Sequence, residues 1–268
     1  MNAMHNLKSS IAALVLTGIT LAAAADPVPS VTVKFDNPIF NGSGSDAVHI
    51  RFPNAVGSGS GSGTIAIGNG SNSTTAYVAA GRFQGTASNL VGVTSNVFVD
   101  GLDDLYMYCY DIYESIGSGR VVNYTIDFTA ATPRTLDFLG AVNTVMSDAG
   151  SPYSPYAWLH PTTASQGAAI QIGIWESLYD ASGWDLGVGT FQAWDLDSGT
   201  LSAWNSFAAA IGTSDPLASR YTMVLKATGA QDMIAGDPPT EVPEPGSLAL
   251  AGLALAALAG SRKLRRRP

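Results

Sequence analysis

Hydrophobic and polar positions alternate in short segments over the first part of the chain. Between residues 31 and 99 the sequence is rich in Gly, Ser, Thr and Val, and small polar residues separate the apolar runs. Runs of this kind predict β-strands joined by turns. The clearest of them are Val31–Phe35, Thr64–Ile67 and Asn96–Val99.

A tyrosine-rich segment after residue 104 continues this alternation. Successive side chains of a strand point to opposite faces of the sheet, so the residues between 106 and 112 divide into two sets. One face carries Tyr106, Tyr108, Tyr110 and Ile112, and the other carries Met107, Cys109 and Asp111.

The spacing of apolar residues lengthens after residue 132, which predicts helices. Thr132-Pro133 suits a helix start, and apolar residues then recur every three or four positions to about residue 147. Further helices are predicted over Thr163–Asp180 and Leu201–Ile211, followed by a late strand at Tyr221–Ala227. Together these elements predict an α+β fold, with a β-rich, sandwich- or barrel-like body and a helical insertion.

The helix predicted over Thr163–Asp180 is amphipathic in the sequence. Its apolar stripe includes Gln171 and Trp175, and the opposite side includes Glu176 and Asp180. Gln171 is therefore an amide on the face that we expect to be buried. There it needs hydrogen-bond partners, because an unpaired buried amide costs on the order of 1–3 kcal/mol.

Residues 1–25 have the organisation of a secretory signal peptide. Lys8 precedes an apolar run from Ile11 to Ala24, and small residues up to Ala25 offer a cleavage site. A buried N-terminal helix is the alternative, but Asp26-Pro27 would interrupt it at once. The sequence therefore predicts export.

The other end of the chain carries a second targeting pattern. Residues 236–245 form a linker that ends in Val242-Pro243-Glu244-Pro245, and residues 246–268 form an apolar segment followed by five basic residues. This order resembles the PEP-CTERM sorting signal. The resemblance implies processing by an exosortase and transient anchoring in the inner membrane through residues 246–268. The final location would be the cell surface or the extracellular matrix.

The charge of the exported part excludes one class of partner. Residues 26–245 contain all 21 acidic residues but only 7 of the 13 basic ones, which gives a net charge of −14. Such a surface repels nucleic acid and anionic lipid. The acidic turns Asp100–Asp104 and Asp195–Gly199 do not complete a calcium-binding loop, and we expect neither a metal nor a cofactor.

Cys109 is the only cysteine of the chain. A free cysteine is often just a small buried hydrophobic residue. Exported proteins, however, usually carry cysteines in even numbers, and a single one indicates an intermolecular bond or a reactive thiol. The residues alone leave both interpretations open.

Residues 100–235 resemble the thioester domains of bacterial surface adhesins, with residues 26–99 as a β-rich N-terminal part of the same body. That family pairs an aromatic-Cys element, matched by Tyr108-Cys109-Tyr110, with a later Gln-x-Ala-Ile-Trp motif, matched by Gln171–Trp175. Gly173 stands where the family usually has alanine. The resemblance implies a thioester that joins the side chains of Cys109 and Gln171.

The function that this resemblance implies is covalent attachment, not enzymatic turnover. The thioester would react once with an amine or a hydroxyl of a surface or matrix polysaccharide or protein. Four aromatic residues are candidate walls of the pocket around the bond: Tyr106, Tyr108, Tyr110 and Trp175.

Two other functions stay open. Cys109 could be the nucleophile of a hydrolase that uses His160 as its base, although no protease-like sequence signature surrounds the cysteine. The chain could also be a non-reactive matrix module that binds sugars. Trp184, Trp194 and Trp204 could stack on sugars, but tryptophans at such spacing are more often core residues.

Overall fold

The computed structural model describes residues 27–42, 44–53, 73–93, 98–147 and 155–237. The predicted signal peptide, the Val-Pro-Glu-Pro stretch and the apolar tail lie outside these ranges. No helix within them has both the length and the apolar character needed to cross a bilayer. The described elements are β1 (Ser30–Phe35), β2 (Ser45–Pro53), β3 (Ser73–Gly81), β4 (Phe83–Val91), β5 (Leu105–Cys109), β6 (Val121–Asp127), α1 (Pro133–Met146), α2 (Ala164–Tyr179), β7 (Gln192–Trp194), α3 (Ser198–Ala210), β8 (Thr222–Lys226) and β9 (Met233–Gly236).

Six of these strands close into an antiparallel barrel, in the order β1-β4-β5-β9-β8-β6. The other three form a small antiparallel sheet, in the order β3-β2-β7. The barrel takes β1 and β4 from the segment before residue 100 and the remaining four strands from the segment after it. The predicted α+β class with a β-rich body is confirmed, and the two segments share one barrel.

The chain passes from the small sheet to the barrel at a single residue, Arg82. β3 ends at Gly81, and a Cβ there would lie 2.8 Å from the carbonyl oxygen of Gly44, so the backbones approach closely at this point. β4 then begins at Phe83, opposite Met107 of β5. β4 therefore cannot extend along β5 beyond Met107, which leaves one side of the next residues of β5 without a strand partner.

Side-chain caps define the starts of α1, α2 and α3. The side chains of Thr132, Thr163 and Asp197 each accept a hydrogen bond from a backbone N–H in the first turn of α1, α2 and α3, respectively. The predicted helices over 133–147 and 163–180 are confirmed. The third helix begins at Ser198, three residues earlier than predicted, because Asp197 caps it.

The prediction that α2 has a polar, exposed side is wrong. The helix is buried on all sides between residues 167 and 177, and Glu176 has no exposed surface. α2 packs against α1, α3 and the strands of the small sheet at the same time, so no face is left for solvent. This packing requires a glycine at position 173, because a Cβ there would overlap the ring of Phe138 on α1.

The five predicted strands have different outcomes. Val31–Phe35 lies within β1, and the predicted late strand contains β8. The tyrosine-rich strand ends at Cys109, earlier than the alternation indicates. Phe98 and Val99 lie in a turn, not in a strand, and Thr64–Ile67 lies outside the described residues.

Candidate functional site

The side chain of Gln171 and the backbone of Cys109 form a pair of hydrogen bonds in the protein interior. The Cys109 N–H donates to Gln171 Oε1 at 2.8 Å, and Gln171 Nε2 donates to the Cys109 carbonyl oxygen at 2.9 Å. Cys109 is 2% exposed and Gln171 is fully buried. The structure thus brings together two residues that lie 62 positions apart in the sequence.

This pairing follows from the ladder of β5. Backbone groups of an antiparallel strand point alternately to its two sides. The Tyr110 N–H donates to the carbonyl of Asp232, on the β9 side, so the N–H and C=O of Cys109 point to the β4 side. Because β4 begins only opposite Met107, the Gln171 amide takes the place of the missing strand.

The arrangement satisfies the hydrogen-bonding groups of the buried amide and determines which group faces its carbonyl oxygen. The Cys109 N–H points at the oxygen that would carry negative charge if a nucleophile attacked the Gln171 carbonyl carbon. A backbone N–H in that position stabilises such an oxyanion. The carbonyl is therefore polarised by the same residue whose thiol would attack it.

An apolar cavity of about 260 Å³ adjoins Cys109. Trp175 and Gln231 line it together with the cysteine, and aliphatic and aromatic side chains from β2, β3 and neighbouring loops supply most of the wall. Gln231 Nε2 and Trp175 Nε1 both donate to the Asp111 carbonyl oxygen, at 2.9 and 3.1 Å. These two bonds fix the polar edge of an otherwise mainly apolar cavity.

Burial raises the pKa of the Cys109 thiol well above its usual value, and the negative charge of Asp111 adds to the rise. The thiol is therefore protonated at neutral pH, and a reaction through sulfur needs a nearby group to take its proton. Burial also raises the pKa of Asp111 to about 7, against a hydrogen bond from the Asp232 N–H to Asp111 Oδ2. A carboxyl with this pKa can accept or release a proton near neutral pH.

Sequence reasoning missed Asp111 and Gln231 as members of this site. Asp111 lies only two positions after Cys109 in the sequence, which was a usable signal. Gln231 precedes β9 and is brought to the site only by the closure of the barrel.

The four aromatic residues predicted as pocket walls occupy different places. Trp175 lines the cavity beside Cys109. Tyr106 lies under the guanidinium of Arg82, and Tyr108 packs on Trp158, whereas the Tyr110 hydroxyl bonds to the start of α1. Tyr106 and Tyr108 also belong to the opposite side of β5 from Cys109 by strand alternation.

His160 lies near Tyr106. Its Nε2 atom is 3.3 Å from Asp100 Oδ1, and its ring packs edge-on against the Tyr106 ring. Because Tyr106 and Cys109 are three positions apart on β5, their side chains point to opposite faces of the strand. Among the described residues, no group of three or more His, Cys, Asp or Glu side chains is arranged to hold a metal ion.

Comparison with known families identifies one segment of the chain. Residues 241–266 match the PEP-CTERM protein-sorting motif, which agrees with the resemblance seen in the sequence. Exosortases recognise this signal, and it marks exported proteins that are processed at the membrane. Comparison with curated proteins and with solved structures finds no significant match.

Proposed function

We propose that this exported protein forms an internal thioester between Cys109 and Gln171 and uses it for covalent attachment at the cell surface or in the extracellular matrix. The observation that supports this most is the two-point hydrogen bonding between the Gln171 amide and the Cys109 backbone. The resemblance of both sequence elements to thioester domains supports it independently.

Bond formation would begin with transfer of the thiol proton to Asp111. The sulfur then attacks the Gln171 carbonyl carbon, and the Cys109 N–H stabilises the negative charge that develops on Oε1. Collapse of this intermediate breaks the bond to Nε2. The departing nitrogen takes up the proton and leaves as ammonia, so the step needs no other reactant.

Water exclusion would preserve the product. A thioester in water hydrolyses slowly, but the cavity beside Cys109 is lined mainly by apolar side chains, and the cysteine is almost fully buried. An amine or hydroxyl of a partner would enter this cavity and attack the acyl carbon. An amide or ester to Gln171 would form, and the Cys109 thiol would be released.

A primary amine carrying a fluorescent group, such as dansylcadaverine, tests this proposal. The folded wild-type protein should incorporate it once, at Gln171, and expose a thiol at the same time. Cys109→Ala should incorporate none. Lack of incorporation by the wild type, or equal incorporation by Cys109→Ala, would contradict the proposal.

Two alternative functions predict different experimental results. A non-reactive matrix module would keep its free thiol and incorporate no amine, with Gln171 serving only to complete the β5 ladder. A hydrolase with His160 as its base would turn over an ester or peptide substrate many times. It would lose about two to four orders of magnitude in rate in His160→Ala.

A further inference from the structure

A row of three aromatic rings crosses the outer face of the small sheet. His49 on β2 is paired in register with Tyr77 on β3 and with Trp194 on β7. Its ring lies 4.5 Å from the Tyr77 ring and 5.6 Å from the Trp194 ring, centroid to centroid, and is nearly parallel to the latter at 15°. With strands about 4.8 Å apart, the row is roughly 10 Å long.

These rings face away from the core. Their neighbours Val48 and Ile50 on β2 are fully buried, so His49 and the residues paired with it point to the other side of the sheet. The Tyr77 side chain is 63% exposed and that of Trp194 is 38% exposed. Large aromatic side chains exposed side by side indicate a binding surface more often than scattered apolar residues do.

Trp194 also borders an open cleft of about 530 Å³. The cleft is lined by Trp184 and Trp204 and by the polar side chains of Asp185, Asp195 and Asn205. Trp204 is almost fully buried. Trp184 is held by the Arg134 guanidinium 4.0 Å from its ring and by stacking on Phe138. Trp194 is therefore the tryptophan of this cleft that is available to a ligand.

The backbone beside Trp194 is held in an unusual conformation. Asp195 has a φ of 56°, in the left-handed region that non-glycine residues rarely occupy. Its Oδ2 atom lies 3.1 Å from Nδ1 of His49, the central ring of the row. This contact links the aromatic row to the carboxylate of the cleft. Local strain of this kind is concentrated at functional sites.

We propose that the aromatic row and the adjoining cleft bind a neutral polysaccharide. Flat aromatic faces pack against the C–H faces of sugar rings, and the carboxylates and the amide of the cleft bond to sugar hydroxyls. No Lys or Arg lines the cleft in the described part of the chain, and the net charge of −14 for residues 26–245 disfavours a polyanion.

This binding site is independent of the proposed thioester. It is built from the outer face of β2, β3 and β7, whereas the same sheet contributes Ile50, Phe52 and Ala76 to the cavity beside Cys109 from its inner face. Tyr77 is the residue of the row that also borders this cavity. Retention on a polysaccharide would not require the thiol. A protein partner is the other occupant that such a surface fits, and the test below separates the two.

Native gel electrophoresis of the full chain in gels containing hydroxyethylcellulose, xylan, galactomannan or dextran tests the proposal. At least one neutral polymer should retard the wild type, and polygalacturonate should not. Trp194→Ala and Tyr77→Ala should each weaken the retardation at least tenfold, with Trp194→Phe intermediate. Val121→Ala, an equally exposed position on the barrel strand β6, should behave as the wild type.

Three results would overturn the proposal. They are the absence of retardation by every neutral polymer, stronger binding to polygalacturonate, and equal retardation of the wild type and both alanine variants. If Trp194→Ala does not fold, Tyr77→Ala decides alone, because its side chain lies mostly in solvent. Cys109→Ala should keep full retardation even if it abolishes amine incorporation, so the two proposals can fail separately.

Discussion

The side-chain amide of Gln171 completes the hydrogen-bond ladder of β5 at Cys109. The chain enters the barrel only after Arg82, so β4 is absent where the Cys109 N–H and C=O need partners, and α2 supplies an amide instead. This substitution of a side chain for a strand holds the thiol-bearing residue against the acyl group. The packing of the fold therefore also determines the proposed chemistry.

Truncation of Gln171 should destabilise the protein by about 2–5 kcal/mol, because Gln171→Ala leaves two buried backbone groups unpaired and opens a cavity. Urea unfolding with an unchanged m-value would measure the loss. Gln166→Ala is the matched control. That glutamine lies on the same helix but is only partly buried and bonds to Thr162. Equal losses in the two variants would contradict the role assigned to Gln171.

Asp111→Asn should slow thioester formation by about two to four orders of magnitude, because the asparagine cannot accept the thiol proton. In the wild type the rate should rise with pH through about 7, the pKa of Asp111, and the variant should lose this rise. Ammonia release during refolding would measure both. Asp127→Asn, at a surface carboxylate on β6, should keep the wild-type profile.

Glu176 should make the folded protein less stable as the pH rises. Burial, with the charge of Asp180 next, raises the pKa of Glu176 from 4.5 to about 8. Between these values the folded state binds more protons than the unfolded chain, so the free energy of unfolding decreases from about pH 4.5 to about pH 8. Asp111 and Asp237, with pKa values of about 7, act in the same direction.

Thermal unfolding between pH 4.5 and 8 checks the direction of this change. Each kcal/mol lost from the free energy of unfolding should lower Tm by about 2–4 °C in a chain of this size. Glu176→Gln keeps the shape of the side chain without its charge, so it should flatten the decrease. Asp103→Asn, at an exposed carboxylate, should not. A Tm that increases over this range would contradict the burial argument.

Replacement of Pro243-Glu244-Pro245 should leave an unprocessed precursor that stays in the membrane. The exosortase would lack its recognition sequence, and the apolar segment with its basic end would remain attached. Cell fractionation and immunoblotting would show the larger, membrane-associated form. Normal amounts of normally sized protein at the cell surface would contradict the sorting role of this sequence.

Local chemistry made part of this fold predictable. Thr132 and Thr163 cap the helices that the sequence places after them, and the alternating tyrosine-rich segment contains β5. These signals depend on residues within a few positions of one another. The Cys109–Gln171 pairing came from a family resemblance instead, since no local pattern joins residues so far apart.

Long-range packing determines the features of the fold that local sequence patterns do not predict. Periodicity assigns Glu176 to a polar face, but α2 is covered by two helices and a sheet, so the carboxylate is buried. The change of sheet at Arg82 has no signal in the sequence, and neither does the approach of Gln231 to Asp111. In the same way, the row of Tyr77, His49 and Trp194 exists only through strand register.

Intact-mass measurement of the folded wild-type domain tests the central claim most directly. A thioester predicts a mass that is lower than the calculated value by one ammonia, with no free thiol to alkylate. Methylamine should open the thioester, which raises the mass by one methylamine and frees Cys109 for alkylation. Gln171→Ala should have neither the mass deficit nor the reaction with methylamine. A freshly folded wild type with its full calculated mass and a readily alkylated Cys109 would contradict the account.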